Sequence, residues 1–424
     1  MNTLSKIGKY AAMAAVALTF ASCTETTPDD DDDDAAGTVT VAGLIDENTT
    51  WSNDNVYILS GRVVVDAGVT LTIEPGTLIK GKTATGSLAS ALIVARGAMI
   101  DAEGTASQPI IFTSEDDDIQ LGQKVGSNLA REANELWGGL IILGNAPISA
   151  ENGDTETNIE GLPANESYGL YGGTNVNDNS GILKYVSIRH GGTLIGEGNE
   201  INGITFGGVG NGTVVDHIEV YATLDDGIEC FGGSVNIDNA LVYYQGDDGV
   251  DLDMNYSGTF TNFAVIHGDG IGTDEGLEID GPENSTYTDG MFTLTNGLVM
   301  TEGEGSAADL KSKAQGTLNN VLFSGYATST LKIRASYQNE CADAKTDAFT
   351  HLTAATPTLV INGSQFDAVN VYTGSTDSND QDCDVPAADQ TAAEAAATSA
   401  TATGADLSVF AGWTAAANRN QLPQ

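Results

Sequence analysis

Three short strings hold the acid chemistry of this chain: Asp225-Asp226-Gly227-Ile228-Glu229, Asp247-Asp248-Gly249-Val250-Asp251 and Asp274-Glu275-Gly276-Leu277-Glu278. The first two are offset by 22 residues, and each of the three follows a β-branched run, at 216–221, 239–243 and 262–266. If each string is one turn of a stacked repeat, Asp225, Asp247 and Asp274 fall in one outward column and Glu229, Asp251 and Glu278 in another. Neighbours in such a column sit about 4.8 Å apart. Like charges at ~4 Å repel by roughly 1 kcal/mol in water and about 4 in a partly shielded site, so the ladder should hold cations or protons. Calcium suits it best, because it takes about six to eight oxygens at ~2.3–2.6 Å and accepts turn carbonyls as well as carboxylates. These six acids are therefore the candidate metal ligands. The same strings also make a turn by themselves, with aspartate bonding its own backbone and glycine supplying positive φ.

Aromatic residues offer a second kind of site. Tyr221 and Tyr243 end equivalent β-branched runs and should point outward on adjacent coils, where flat rings on a rigid sheet suit stacking against sugars. The alternative is that they pack beneath neighbouring loops. Arg189, in the equivalent place one copy upstream, falls in the same column.

The elements that must position these groups are short. Apolar, β-branched runs at 56–59, 63–65, 70–73, 78–80, 92–94, 110–112 and 140–143 alternate with glycine and Asx turns, and no long amphipathic helix interrupts them. A unit near 22 residues cannot bury its apolar face alone and must stack on copies of itself. The expected fold is all-β, a right-handed parallel β-helix with capped ends. Val220, Val242 and Val265 should form one inward column and Ile228, Val250 and Leu277 another. Weaker copies lie at 185–189 with 202–206 and at 318–323 with 331–333, where Lys332 replaces the acid and should end the ladder. Residues 56–79 are expected to form the first coils. The low-complexity stretch 386–404 reads as a return loop, and 407–413 as a C-terminal cap.

Cysteine use fits an oxidising compartment, with Cys341 and Cys383 in polar surroundings as the expected disulfide and Cys230 as a buried thiol. The chain starts with Lys6 and Lys9, an apolar stretch at 11–20 and then Phe20-Ala21-Ser22-Cys23, the layout of an export signal. That junction resembles a bacterial lipobox, which makes Cys23 the lipidated residue. The aspartate run at 29–34 self-repels and should be an extended tether. Formal charge is −43, from 59 acidic against 16 basic residues. Such a surface repels phosphate backbones and excludes nucleic acid as a natural partner.

The strings Thr72-Ile73-Glu74-Pro75-Gly76-Thr77, Leu136-Trp137-Gly138-Gly139-Leu140-Ile141-Ile142-Leu143-Gly144, Tyr185-Val186-Ser187-Ile188-Arg189-His190-Gly191-Gly192 and Asp225-Asp226-Gly227-Ile228-Glu229 together resemble a family of Bacteroidota outer-membrane lipoproteins of uncharacterised role. The resemblance covers nearly all of the mature chain. It implies a pectin-lyase-like β-helix held at the outer membrane, facing outward, and no particular activity. The expected organisation is a lipoprotein signal at 1–22, a lipidated acidic tether at 23–37, the β-helix at 38–385, and a loop and cap at 386–424.

Three functions fit these residues. One is a non-catalytic surface protein whose rigid acidic helix, with calcium as a stabilising cofactor, contacts a polysaccharide or a protein partner. Another is a polysaccharide lyase or glycosidase acting through the carboxylate face at 225–253, with Asp247, Asp251 and Arg189 as its catalytic candidates. The third is an accessory subunit of an outer-membrane uptake or adhesion complex. Polygalacturonases, which share this type of fold, carry their histidine and basic elements downstream of the aspartate pair. Here Arg189-His190-Gly191-Gly192 comes before it, and Leu331-Lys332-Ile333-Arg334 reverses the basic element. A lyase also needs a base beside the metal, and Arg189 is the residue placed to try.

Overall fold

The computed structural model describes residues 37–162, 166–196, 199–373 and 383–423. The export signal, Cys23 and the aspartate run lie outside them. From Gly37 to Tyr372 the described residues wind as a right-handed parallel β-helix, with 23 strands among them in one continuous parallel sheet.

Each coil presents three faces. In the repeated region the first face holds the leading halves of Val214–Tyr221, Asn236–Tyr243 and Thr259–His267. After a corner, the second face holds their trailing halves. Ile228–Phe231, Val250–Asp253 and Leu277–Ile279 form the third face. Register is exact across copies: Val220 pairs with Val242 and that with Val265, while Ile228 pairs with Val250 and that with Leu277. Both columns are buried in the core, as alternation along a strand requires.

The corner between first and second faces is made by one residue per coil in the left-handed conformation: Tyr185, His217, Asn239, Asn262, Asn296 and Asn320, at φ of 50, 58, 56, 57, 56 and 53°. Asparagine tolerates that conformation better than other side chains. Its amide also stacks from coil to coil. Asn239 Nδ2 donates to Asp216 Oδ1, Asn262 Nδ2 to Asn239 Oδ1 and Asn320 Nδ2 to Asn296 Oδ1, each at 2.8 Å.

The glycines of the acidic strings have a different reason to be glycine from the one their turn chemistry suggests. None of Gly227, Gly249 and Gly276 is at positive φ. A Cβ on Gly249 would sit 2.3 Å from Cγ1 of Val265 and 2.6 Å from the carbonyl of Gly276. Close approach of the inward valine column, rather than backbone handedness, demands them.

The two ends differ from expectation. The first coil begins earlier than residue 56, with Gly37–Ile45 lying parallel to Asn55–Val65. At the other end, the alanine-rich stretch includes a helix, Ala387–Ala396, which agrees with alanine's helix preference. Gln390 closes the edge of the last strand, accepting from Val371 N and donating to Val369 O. That helix packs on Ala348–Thr353, and the two cover the last coils. The 407–413 patch is therefore not the end cap: Phe410 and Trp413 are fully buried halfway along the second face. Cys341 and Cys383 form a disulfide with Cα atoms 5.5 Å apart.

Candidate functional site

Outward positions of the third face read, coil by coil, Val64, Ile93, Ile141, Thr205, Glu229, Asp251, Glu278, Asp309, Lys332 and Asn370. The first three are buried in an apolar cluster with Ile148, Ile159 and Tyr171, from the excursion between Leu140–Leu143 and Gly181–Arg189. Polarity changes at Thr205, and four successive carboxylates follow. The ladder extends one coil further than the sequence suggests, because Asp309 lies between Glu278 and Lys332 on a coil whose string lacks the Asp-Asp-Gly pattern.

The turns bring in a second row. Asp226 Oδ1 accepts from Asp248 N at 2.9 Å, and Asp248 Oδ1 accepts from Glu275 N at 2.6 Å. Each turn acid thus ties its coil to the next, the backbone-satisfying role that Asx turns play within a single chain segment. Both aspartates are buried, as is Glu229, which accepts from Asn202 Nδ2.

Three overlapping groups result: Asp225 with Asp226 and Asp247, Asp226 with Glu229 and Asp251, and Asp248 with Asp251 and Glu278. In each, one oxygen per residue lies within 4.8 Å of the others. Five of the six acids singled out from sequence belong to these groups. Asp274 does not: the segment that leads to it is longer than the equivalent ones before Asp225 and Asp247, and it lies in none of the three groups. Asp226 and Asp248, the inner members of the Asp-Asp pairs, were missed as ligands. Their signal was present in the sequence, since the second acid of each string repeats as faithfully as the first.

Burial and crowding act in one direction here. Desolvation first, then neighbouring carboxylates, push Asp226, Glu229 and Asp251 far above the usual carboxylate range. Asp248 is pushed up to about 11 and Asp253 to about 8 by burial before any other cause, and Glu275 to about 7 despite its bond with Lys332. Oδ1 of Asp251 and Oδ1 of Asp280 are buried without a hydrogen-bond partner. Such oxygens need a proton or a cation. Lys311 pairs with Glu278 and Lys332 with Glu275, so the basic side chains that reach these acids are already engaged.

The remaining candidates lie elsewhere. Arg189 pairs in register with Tyr221 and so belongs to the second face, not to that of Asp251. It is buried: Nε donates to Ser187 Oγ and Nη1 to the Lys124 carbonyl, both at 2.7 Å, with Glu219 at 3.8 Å. It cannot serve as a base beside the acids. Tyr221 and Tyr243 do stack in parallel, with centroids 5.5 Å apart and planes 8° from parallel, but both are fully buried. Tyr243 Oη accepts from Arg131 at 2.7 Å, and Tyr221 Oη donates to Gln421 at 3.0 Å. The loop after Ile110–Ser114 and the C-terminal tail cover them, so they present no open stacking face.

The coil stack and its acidic third face define an elongated parallel β-helix protein with a continuous carboxylate ladder on one side. Residues 43–417 match the model of the pectate-lyase-like β-helix domain family, and the chain belongs to that family. No curated protein and no solved structure matches the chain.

Proposed function

We propose that this protein is a non-catalytic, lipid-anchored surface protein whose third face, loaded with calcium or a similar hard cation, makes contact with polysaccharide. The observation that carries the reading is the set of three overlapping carboxylate groups, all oxygen donors, which suits hard cations. Asp226, Glu229, Asp248, Asp251 and Glu278 would hold the ions, with Asp225 and Asp247 at the outer end. Asp251 Oδ1, buried without a partner, supports the fit. A bound divalent ion supplies positive charge on a face that otherwise repels uronate or sulfate groups. Anchoring rests on the lipobox-like Phe20-Ala21-Ser22-Cys23 and the aspartate tether.

A non-catalytic role is favoured because Lys311 and Lys332 are each engaged by a carboxylate and Arg189 is buried on another face. Calorimetric titration with calcium, paired with thermal melting in calcium and in chelator, tests the reading. Heat of binding and a raised midpoint are expected, and an unchanged midpoint overturns it.

One observation favours a second reading, a polysaccharide lyase or glycosidase: crowded carboxyls held protonated near neutral pH are the kind that act as general acids. Screening polysaccharides for unsaturated or reducing-end products tests it, and Asp247→Asn with Asp251→Asn should abolish any product found.

A further inference from the structure

The C-terminal tail runs back over the outside of the coils, against the direction in which they stack. Ala400 N donates to Ser364 O, and Thr403 N to Asn320 Oδ1. Asp406 N then donates to Asn262 Oδ1, whose coil lies two strands upstream of that of Asn320. Trp413 sets its indole against Tyr185 and His217, at ring centroid distances of 5.5 and 6.2 Å. Beyond it, Gln421 reaches Tyr221. The left-handed corner residues are thus the docking points of the tail as well as the corners of the coils.

The tail ends in a buried catch. The Glu219 carboxylate, fully buried, accepts from Ala415 N at 2.8 Å and Ala416 N at 3.0 Å, while Ser187 Oγ donates to it at 2.5 Å and Arg189 faces it. A charged acceptor joined to two backbone amides is among the stronger hydrogen-bonding arrangements. A solenoid without such a crosslink is held by nearest-neighbour interfaces, so opening can begin at one coil and spread only to the coils beside it. A strap joined to four of the stacked strands, Gly181–Arg189, Val214–Tyr221, Thr259–His267 and Gly316–Ser324, and to Ser364 beyond them couples coils that are not neighbours, so that opening one strains the contacts made to the others.

We infer that residues 398–423 form a longitudinal clasp, with Glu219 as its catch, that makes the coils between residues 181 and 364 open as one cooperative unit. The coils at 37–114 carry none of the tail contacts described above and open independently of it.

Native-state hydrogen exchange read by mass spectrometry on the full chain tests this, comparing wild type with Glu219→Gln and with Trp413→Ala. In wild type, amides of the strands from 181 to 334 should exchange at one common rate. Either substitution should raise that rate roughly tenfold or more and split it into separate rates for separate coils. Strands at 37–114 should keep their wild-type rates. Unchanged exchange at 181–334 in both variants overturns the inference, and so does equal acceleration at 37–114, which would mark general destabilisation rather than loss of a clasp.

Discussion

Replacing Asp251 by asparagine should raise the stability of the cation-free protein, although the substitution removes a buried native group. Asp251 is flanked in register by Glu229 and Glu278. At the strand spacing of about 4.8 Å, a neighbour would repel it by about 3 kcal/mol at an effective dielectric near 20 whenever both carried charge, and holding a proton instead costs free energy above the ordinary carboxylate range. Proton uptake and solvent screening reduce the net relief to about 1–2 kcal/mol. At roughly 1–2 °C per kcal/mol for a chain of this length, that is an upward shift of about 1–4 °C. The assay is thermal melting at pH 8 in chelator and again in calcium. Wild type with calcium at a hundred times its dissociation constant should gain about 2.7 kcal/mol, and the variant should lose most of that gain. A variant that melts lower than wild type in chelator, with its calcium response intact, would refute the reasoning, because the carboxylates would then be neither in conflict nor shared with an ion.

The pH response follows from the same groups. Asp253 and Glu275 are held near 8 and 7 in the folded chain. Unfolded carboxyls titrate near 4, so the folded state keeps protons that the unfolded state gives up. Stability in chelator should therefore fall as pH rises from about 4 to about 8, measured as the urea midpoint across that range. His190 and His267, held down to about 4 and about 3 by burial, act oppositely: their contribution is present above about 6.5 and lost as pH falls through those values. Asn239→Ala should cost about 1–2 kcal/mol in urea unfolding, since it removes two ladder hydrogen bonds and leaves alanine at φ of 56°. Reducing the Cys341–Cys383 disulfide, which closes a separation of 42 residues, should cost about 4 kcal/mol at most in the chain-entropy account. Calorimetry with and without reductant would measure it, and an unchanged profile would contradict it.

The repeat was legible because a solenoid reuses one local rule. Period-2 alternation and the 22-residue offset were enough to place Val220 over Val242 and Glu229 over Asp251, and the register agrees. Asp309 escaped because its coil keeps the outward acid and the inward Ala308 and Leu310 but not the turn string that announces them. The stacking face of Tyr221 and Tyr243 failed for another reason. Which outward column stays open depends on what folds over it, and the covering groups, Arg131 and Gln421, stand 112 and 200 residues away from their partners.

Sequence alone therefore determined the coil: which residues turn inward, which stack, and which carboxylates become neighbours. All of these follow from spacing along one chain segment and its copies. Tertiary structure alone decided which faces meet solvent. The helix with Gln390 closes the last strand, the tail covers the tyrosines, and the acidic face is left to crowd its charges, because burial of an outward side chain is set by distant segments that no local period encodes.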